Sequence, residues 1–229
     1  MFESRTFINE FSENINATAE NDIDGIFITI QRFAQYISTL KKKVDADNIN
    51  ILKLLKSIDE NEALSLSIRP DIVNQLDYFS NILLQSSIVS IYSFFDTKLE
   101  QLAIICKKHV PNTKTIDSFR YSGDQSYIEK HNSFLKSEII PDLEVYSDNF
   151  ERMLIWKNVR NYIVHRSKRS ADMLDLTFLN SITSENGKLH IKDEKDILEF
   201  LILVEYYLEM VIDLINTKYL LIQYKMINS

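Results

Sequence analysis

Arg160-Asn161-Tyr162-Ile163-Val164-His165 sets a permanent cation, an amide and an imidazole within six residues. A guanidinium beside a group that titrates near neutral pH suits chemistry on a phosphodiester. On a helix running from Ser147 to Ser167, Asn161 and His165 stand at i, i+4 and share a face, while Arg160 lies about 140° from His165 around the axis. The polar groups then flank one groove, and Val159, Tyr162 and Ile163 turn toward a core. Lys157, Arg160, Arg166, Lys168 and Arg169 supply five cations between Trp156 and Ser170 with no carboxylate among them. This is the densest basic patch in a chain of net charge −7, and it makes Lys157, Arg166, Lys168 and Arg169 the candidates for holding RNA phosphates.

Cleaving RNA without a metal needs a base for the 2′-hydroxyl proton, an acid for the leaving 5′-oxygen, and a cation over the developing phosphorane charge. One imidazole is poorly suited to be base and acid in a single step. A second His165 from a symmetric partner copy would fill the missing role. Each positioned acid or base contributes roughly 10² to 10⁴ in rate, and a guanidinium at position 160 would grip the phosphate bidentately, which Lys does less well. Arg160, Asn161 and His165 are therefore the catalytic candidates. The site so read requires neither metal nor cofactor.

The elements that must position these residues follow from hydrophobic spacing. Ile23, Ile26, Phe27, Ile30, Phe33, Ile37 and Leu40 mark a helix over Asp22 to Lys43, ending in Lys41-Lys42-Lys43 where a helix terminus prefers cations. A shorter helix is predicted over Asn50 to Ile58. Pro70 suits the first helical position of a long segment running to about His109, stopped by Pro111. Thr113 to Gly123 reads as loop, and Asp124 opens a helix that Pro141 ends. Ser147 is an N-cap candidate for the helix bearing the motif. Leu189 and Ile191 alternate after Asn186-Gly187, which predicts a short β-hairpin within Leu174 to Lys192. Asp193 and Glu194 then open a last helix with the stripe Ile197, Leu201, Val204, Leu208, Val211 and Ile215.

Composition agrees with this plan. In 229 residues that are 45% hydrophobic there are only three Gly and three Pro, so tight turns are few and long helices are favoured. The chain is long enough to bury a sizeable core. Residues 197 to 215 are the most apolar stretch, but Glu199, Glu205, Glu209 and Asp213 interrupt it, giving an amphipathic helix and not a membrane span. Met1 to Asn21 lacks the layout of a signal peptide. The single Cys106 sits among apolar neighbours and reads as a buried thiol in a reducing cytoplasm. Acidic balance argues against broad nucleic-acid binding, so a local patch must do it.

Other polar groups fit blander roles. His109 beside Pro111 reads as a helix cap; His131 and His190 fall on polar or hairpin faces, and none has metal-ligand spacing. Glu205, Glu209 and Asp213 form a solvated acidic face. Phe94-Phe95 and Tyr206-Tyr207 read as core or interface aromatics.

With Arg160, Asn161 and His165 in place, the chain resembles the HEPN superfamily (higher eukaryotes and prokaryotes nucleotide-binding domain), marked by Arg, a polar residue and then His within four to six intervening positions. The likeness extends to Ser93-Phe94-Phe95-Asp96-Thr97-Lys98-Leu99 upstream and to the hairpin and closing helix downstream. It covers Pro70 to about Thr217, making residues 70–229 the HEPN-like domain and 1–69 an N-terminal helical extension. The resemblance implies an all-α antiparallel helical bundle with a short β-hairpin before the last helix. It also implies a homodimer whose two Arg-His pairs line one cleft, and a metal-independent endoribonuclease of toxin, antiviral or RNA-processing systems. Carried over by position, Arg160 and His165 would be catalytic, Asn161 would orient them, and Asp96 would be an acidic partner for Arg160. Where relatives have Asn and Gly after the His, this chain has Arg166-Ser167-Lys168-Arg169. Two other readings stay open. One is a non-catalytic helical dimer that binds RNA or nucleotide, or scaffolds a partner such as an antitoxin or a nucleotidyltransferase. The other is a purely structural helical protein, in which the helix dipole alone explains a His near a helix C-terminus.

Overall fold

A computed structural model describes residues 65–110, 112–119, 127–165 and 170–227, with scattered positions between 32 and 53. The described residues are mainly helical with a small antiparallel hairpin. The order is α1 (Ser65–His109), a 3₁₀ turn (Ile116–Phe119), α2 (Tyr127–Phe134), a π turn (Leu135–Ile139), a 3₁₀ helix (Pro141–Tyr146), α3 (Ser147–Val164), a 3₁₀ turn (Ala171–Met173), β1 (Ile182–Glu185), β2 (Lys188–Ile191) and α4 (Lys195–Ile227). The helices expected over Asp22–Lys43 and Asn50–Ile58 fall mostly outside the described residues. The positions described there are helical, including Asp45, Ala46, Asp47 and Ile49, where no Gly or Pro forces the break that the spacing suggested.

Pro70 is not the first residue of α1, which starts at Ser65. A proline at the sixth position gives up one helical bond, to the carbonyl of residue 66, close to the helix start, and nothing in Ser65 to Arg69 halts the helix. The stop before Pro111 is as predicted. No described helix is long and apolar enough to cross a membrane.

The contacts divide the chain into two compact units. In the unit comprising residues 91–154 and 202–229, Phe95, Leu99, Ala103 and Cys106 of α1 are fully buried at helical spacing. Tyr207 of α4 is buried as completely. Its ring meets Phe95 edge-on at 5.8 Å, and its hydroxyl donates to Asn132 Oδ1 at 2.5 Å. Pro141 disfavours a helical conformation at Ile140, which sits at φ −134° and ψ 79°. The helix before it therefore closes in a π turn, with Ile140 N–H donating to the Leu135 carbonyl at 2.8 Å. The wider turn leaves both Leu135 and Ile139 fully buried. Ser147 is not an N-cap: the 3₁₀ helix that Pro141 starts runs directly into α3, and Ser147 is already helical at φ −55° and ψ −40°.

The second unit comprises residues 31–90 and 155–201. It holds the motif end of α3, the hairpin and the first turns of α4. Asn186 at φ 52° and Gly187 at φ 73° make the turn the sequence predicts, and the strands pair from Ile182↔Ile191 to Glu185↔Lys188. Leu189 and Ile191 face inward while Lys188 and His190 face out. Trp156, 4% exposed, stacks on Phe200 at 4.4 Å between centroids. Asp193 Oδ1 accepts the Lys195 amide at 2.9 Å, capping α4.

Candidate functional site

The last turns of α3 carry the motif. Val159 is fully buried and Tyr162 is 8% exposed, so the helix turns its apolar side inward and leaves Arg160 and Asn161 half-buried and His165 exposed. Arg160 Nη1 donates to Asn161 Oδ1 at 3.0 Å. That bond joins the cation and the amide of the motif across neighbouring positions and restrains a side chain with many rotamers. The His165 amide donates to the Asn161 carbonyl at 3.0 Å, a helical bond at the end of α3.

Lys157 is half-buried one turn before Asn161, so Lys157, Asn161 and His165 form one row along the helix at i, i+4 and i+8. Arg160 lies on the neighbouring row. Arg166, Lys168 and Arg169, the rest of the basic patch, fall outside the described residues. Asp96 is half-buried on α1 and belongs to the other compact unit.

The hairpin positions this end of α3. The Tyr162 hydroxyl donates to the Gly187 carbonyl at 3.0 Å, and the Ala171 amide donates to that same oxygen at 2.9 Å. From the other side, Asn81 Nδ2 and Gln85 Nε2 of α1 donate to the Leu189 carbonyl at 3.3 and 3.5 Å. Asp196, 1% exposed in the first turn of α4, accepts the Asn180 amide at 3.1 Å, the Ser181 amide at 2.7 Å and the Ser181 hydroxyl at 2.9 Å. A carboxylate here suits the helix N-terminus. Sequence reasoning passed over Asp196 and the Tyr162 hydroxyl. An acidic residue in a first turn was the available signal for the former; the acceptor of the latter lies 25 positions away, beyond any local pattern.

The remaining candidates resolve more plainly. His131 is not on a polar face: it is 3% exposed and its Nδ1 is buried without a hydrogen-bond partner. The short helix α2 carries Lys130, His131 and Asn132 all under cover, a burial that its polar sequence does not announce. Burial chiefly lowers the affinity of His131 for its proton, against opposition from Glu100 and Asp117. His190 is exposed on β2, as its hairpin position predicts. The Cys106 thiol is buried, which pushes its pKa up to about 12. Glu205 is half-buried, and its carboxyl is held above the usual range by burial and by Glu209, so the acidic row on α4 is less solvated than expected. In the unit holding residues 91–154, a cleft of about 370 Å³ is lined by groups including Asn132, Lys136, Glu144, Phe150 and Tyr207. No motif residue lines it. Among the described residues, no cluster of three or more His, Cys, Asp or Glu is placed to hold a metal ion. Comparison of the chain with models of protein families, with curated proteins and with solved structures finds no match.

Proposed function

We propose that the chain is an endoribonuclease of the HEPN type, cutting RNA without a metal in a site shared by two copies of the chain. The supporting observation is the motif itself: Arg160 is held by Asn161 at 3.0 Å, and an exposed His165 closes the same helix end. In the reaction one His165 takes the proton of a 2′-hydroxyl, and the freed oxygen attacks the adjacent phosphorus. The bond from phosphorus to the 5′-oxygen breaks, and the second His165, from the partner copy, protonates that oxygen. The products are a 2′,3′-cyclic phosphate and a 5′-hydroxyl. Arg160 would bind the non-bridging oxygens as charge gathers on them. Lys157, Arg166, Lys168 and Arg169 would hold flanking phosphates.

The test is cleavage of an unstructured RNA oligonucleotide by purified protein in the presence of a chelator. His165→Ala and Arg160→Ala should each lower the rate by roughly 10² to 10⁴, with circular dichroism and oligomeric state unchanged. A DNA oligonucleotide of the same sequence should stay intact, since it has no 2′-hydroxyl. A wild-type protein that cuts no RNA, or His165→Ala cutting as fast as wild type, overturns the proposal.

A further inference from the structure

Tyr162 and Ala171 are tied to a single atom. The Gly187 carbonyl accepts the Tyr162 hydroxyl at 3.0 Å and the Ala171 amide at 2.9 Å, so the last turn of α3 is tied to the hairpin tip three residues before His165. Asp172 fastens residues 170–172 to the hairpin as well. Its carboxylate accepts the Ser184 hydroxyl of β1 and, at 2.9 Å, the Ser170 hydroxyl, while its own amide donates to Ser170 Oγ at 3.3 Å. Those two hydroxyls, Ser184 foremost, and the Gly187 amide hold the Asp172 carboxyl below the usual carboxylate range, so it stays ionised through neutral pH. At the hairpin tip Gly187 takes φ +73°, and a Cβ there would meet Ser170 Oγ at 2.9 Å. The positive φ favours glycine there, and any Cβ would also displace the Ser170 hydroxyl.

We propose that Tyr162, through Gly187, is a positioning residue for His165: its bond to the hairpin tip, which Asp172 holds through Ser184, fixes the last turn of α3 and sets the direction in which the imidazole leaves the helix end. The proposal rests on the reading of His165 as acid and base in RNA cleavage. The helix alone does not supply this control, because His165 is exposed and stands just past the last residue of α3, where helices fray. Tyr162 sits three residues earlier with its ring 8% exposed, so its hydroxyl links a fixed point of the helix to the hairpin. Fixing the helix turn that carries a side chain removes conformations otherwise open to it. A misplacement of about 1 Å at a reacting group can cost roughly a hundredfold in rate, so such a restraint matters to chemistry.

Tyr162→Phe in the full chain keeps the buried ring and removes only the hydroxyl. Two readouts separate positioning from folding: the imidazole resonance of His165 in histidine-labelled protein, assigned with His165→Gln, and steady-state cleavage of an unstructured RNA oligonucleotide. The expected result is a shifted or broadened His165 resonance, with the other imidazoles unchanged. Alongside it, kcat should fall about tenfold while KM stays within about twofold. Asp172→Asn should act in the same direction, and it serves as the test if Tyr162→Phe fails to fold. An unmoved His165 resonance overturns the positioning role whether or not RNA is cut. A moved resonance with unchanged kcat overturns its catalytic consequence. A moved resonance in a protein whose wild type cuts no RNA upholds the positioning and sinks the ribonuclease reading alone.

Discussion

Replacing Asp196 with alanine would leave the Asn180 amide, the Ser181 amide and the Ser181 hydroxyl without their common acceptor. Ser181 is 3% exposed and Asp196 is 1% exposed, so solvent reaches the two Ser181 donors poorly, while Asn180 is exposed and its amide can turn to water. A buried amide left unmade costs about 1 to 3 kcal/mol, and a hydrogen bond to a charged group is worth about 1.5 to 3 kcal/mol. The three bonds converge on one carboxylate and are not additive, and a water entering the space would recover part of the loss. Loss of a negative charge at a helix N-terminus adds about 0.5 kcal/mol. The net expectation is about 3 to 4 kcal/mol, a large share of the roughly 5 to 15 kcal/mol that holds a domain folded. For a chain of this length that lowers Tm by about 10 °C. Asp196→Asn keeps one acceptor oxygen but turns an amide donor toward a donor, so it should recover no more than about half of the loss. Urea unfolding followed by circular dichroism measures both variants. A cost below about 1 kcal/mol for Asp196→Ala would refute the claim that these bonds hold the start of α4 to the segment before the hairpin.

Three further outcomes follow from buried groups. Tyr207→Phe removes the donor to Asn132 Oδ1 while keeping the ring beside Phe95, and should cost about 1 to 2 kcal/mol in urea unfolding. His131 binds its proton less readily in the folded chain than in the unfolded one, where a histidine titrates near 6.5. Its contribution is therefore fully present above about pH 7 and is lost as pH falls through 6.5; His131→Leu should flatten the difference in stability between pH 7.5 and pH 5.5. Cys106, fully buried with its thiol pushed up to about 12, should resist a disulfide reagent at pH 8 in the native protein and react at the rate of a free thiol in 6 M guanidinium.

The hairpin was legible because Asn186-Gly187 carries both its turn chemistry and the alternation that follows, and the long helices because their apolar residues recur every three or four positions. Boundaries set by context were not. Ser147 has the composition of a cap, yet a 3₁₀ helix begun by Pro141 delivers the chain to it already helical. The π turn at Leu135–Ile139 answers to two demands at once, burial of both its end residues and the restriction that Pro141 places on Ile140, and no periodicity encodes that. At the candidate site, Arg160, Asn161 and His165 were readable from type and spacing. The bond between Arg160 and Asn161 needed side-chain geometry, and the hydroxyl of Tyr162 was hidden by its own hydrophobicity, since an aromatic on the inner face of a helix reads as core.

The chain has a single tryptophan, and it stands four residues before Arg160 on the same helix. Trp156 is nearly sealed from water against Phe200, so its fluorescence is an optical probe of the unit that carries the motif, native to the protein and requiring no label. The other unit, with Tyr207 at its centre, is silent when only indole is excited at 295 nm. A red shift of the Trp156 emission would report the opening of α3 against the first turns of α4, and comparing its midpoint with that of the whole-chain circular dichroism would show whether the motif-bearing unit melts with the rest or ahead of it.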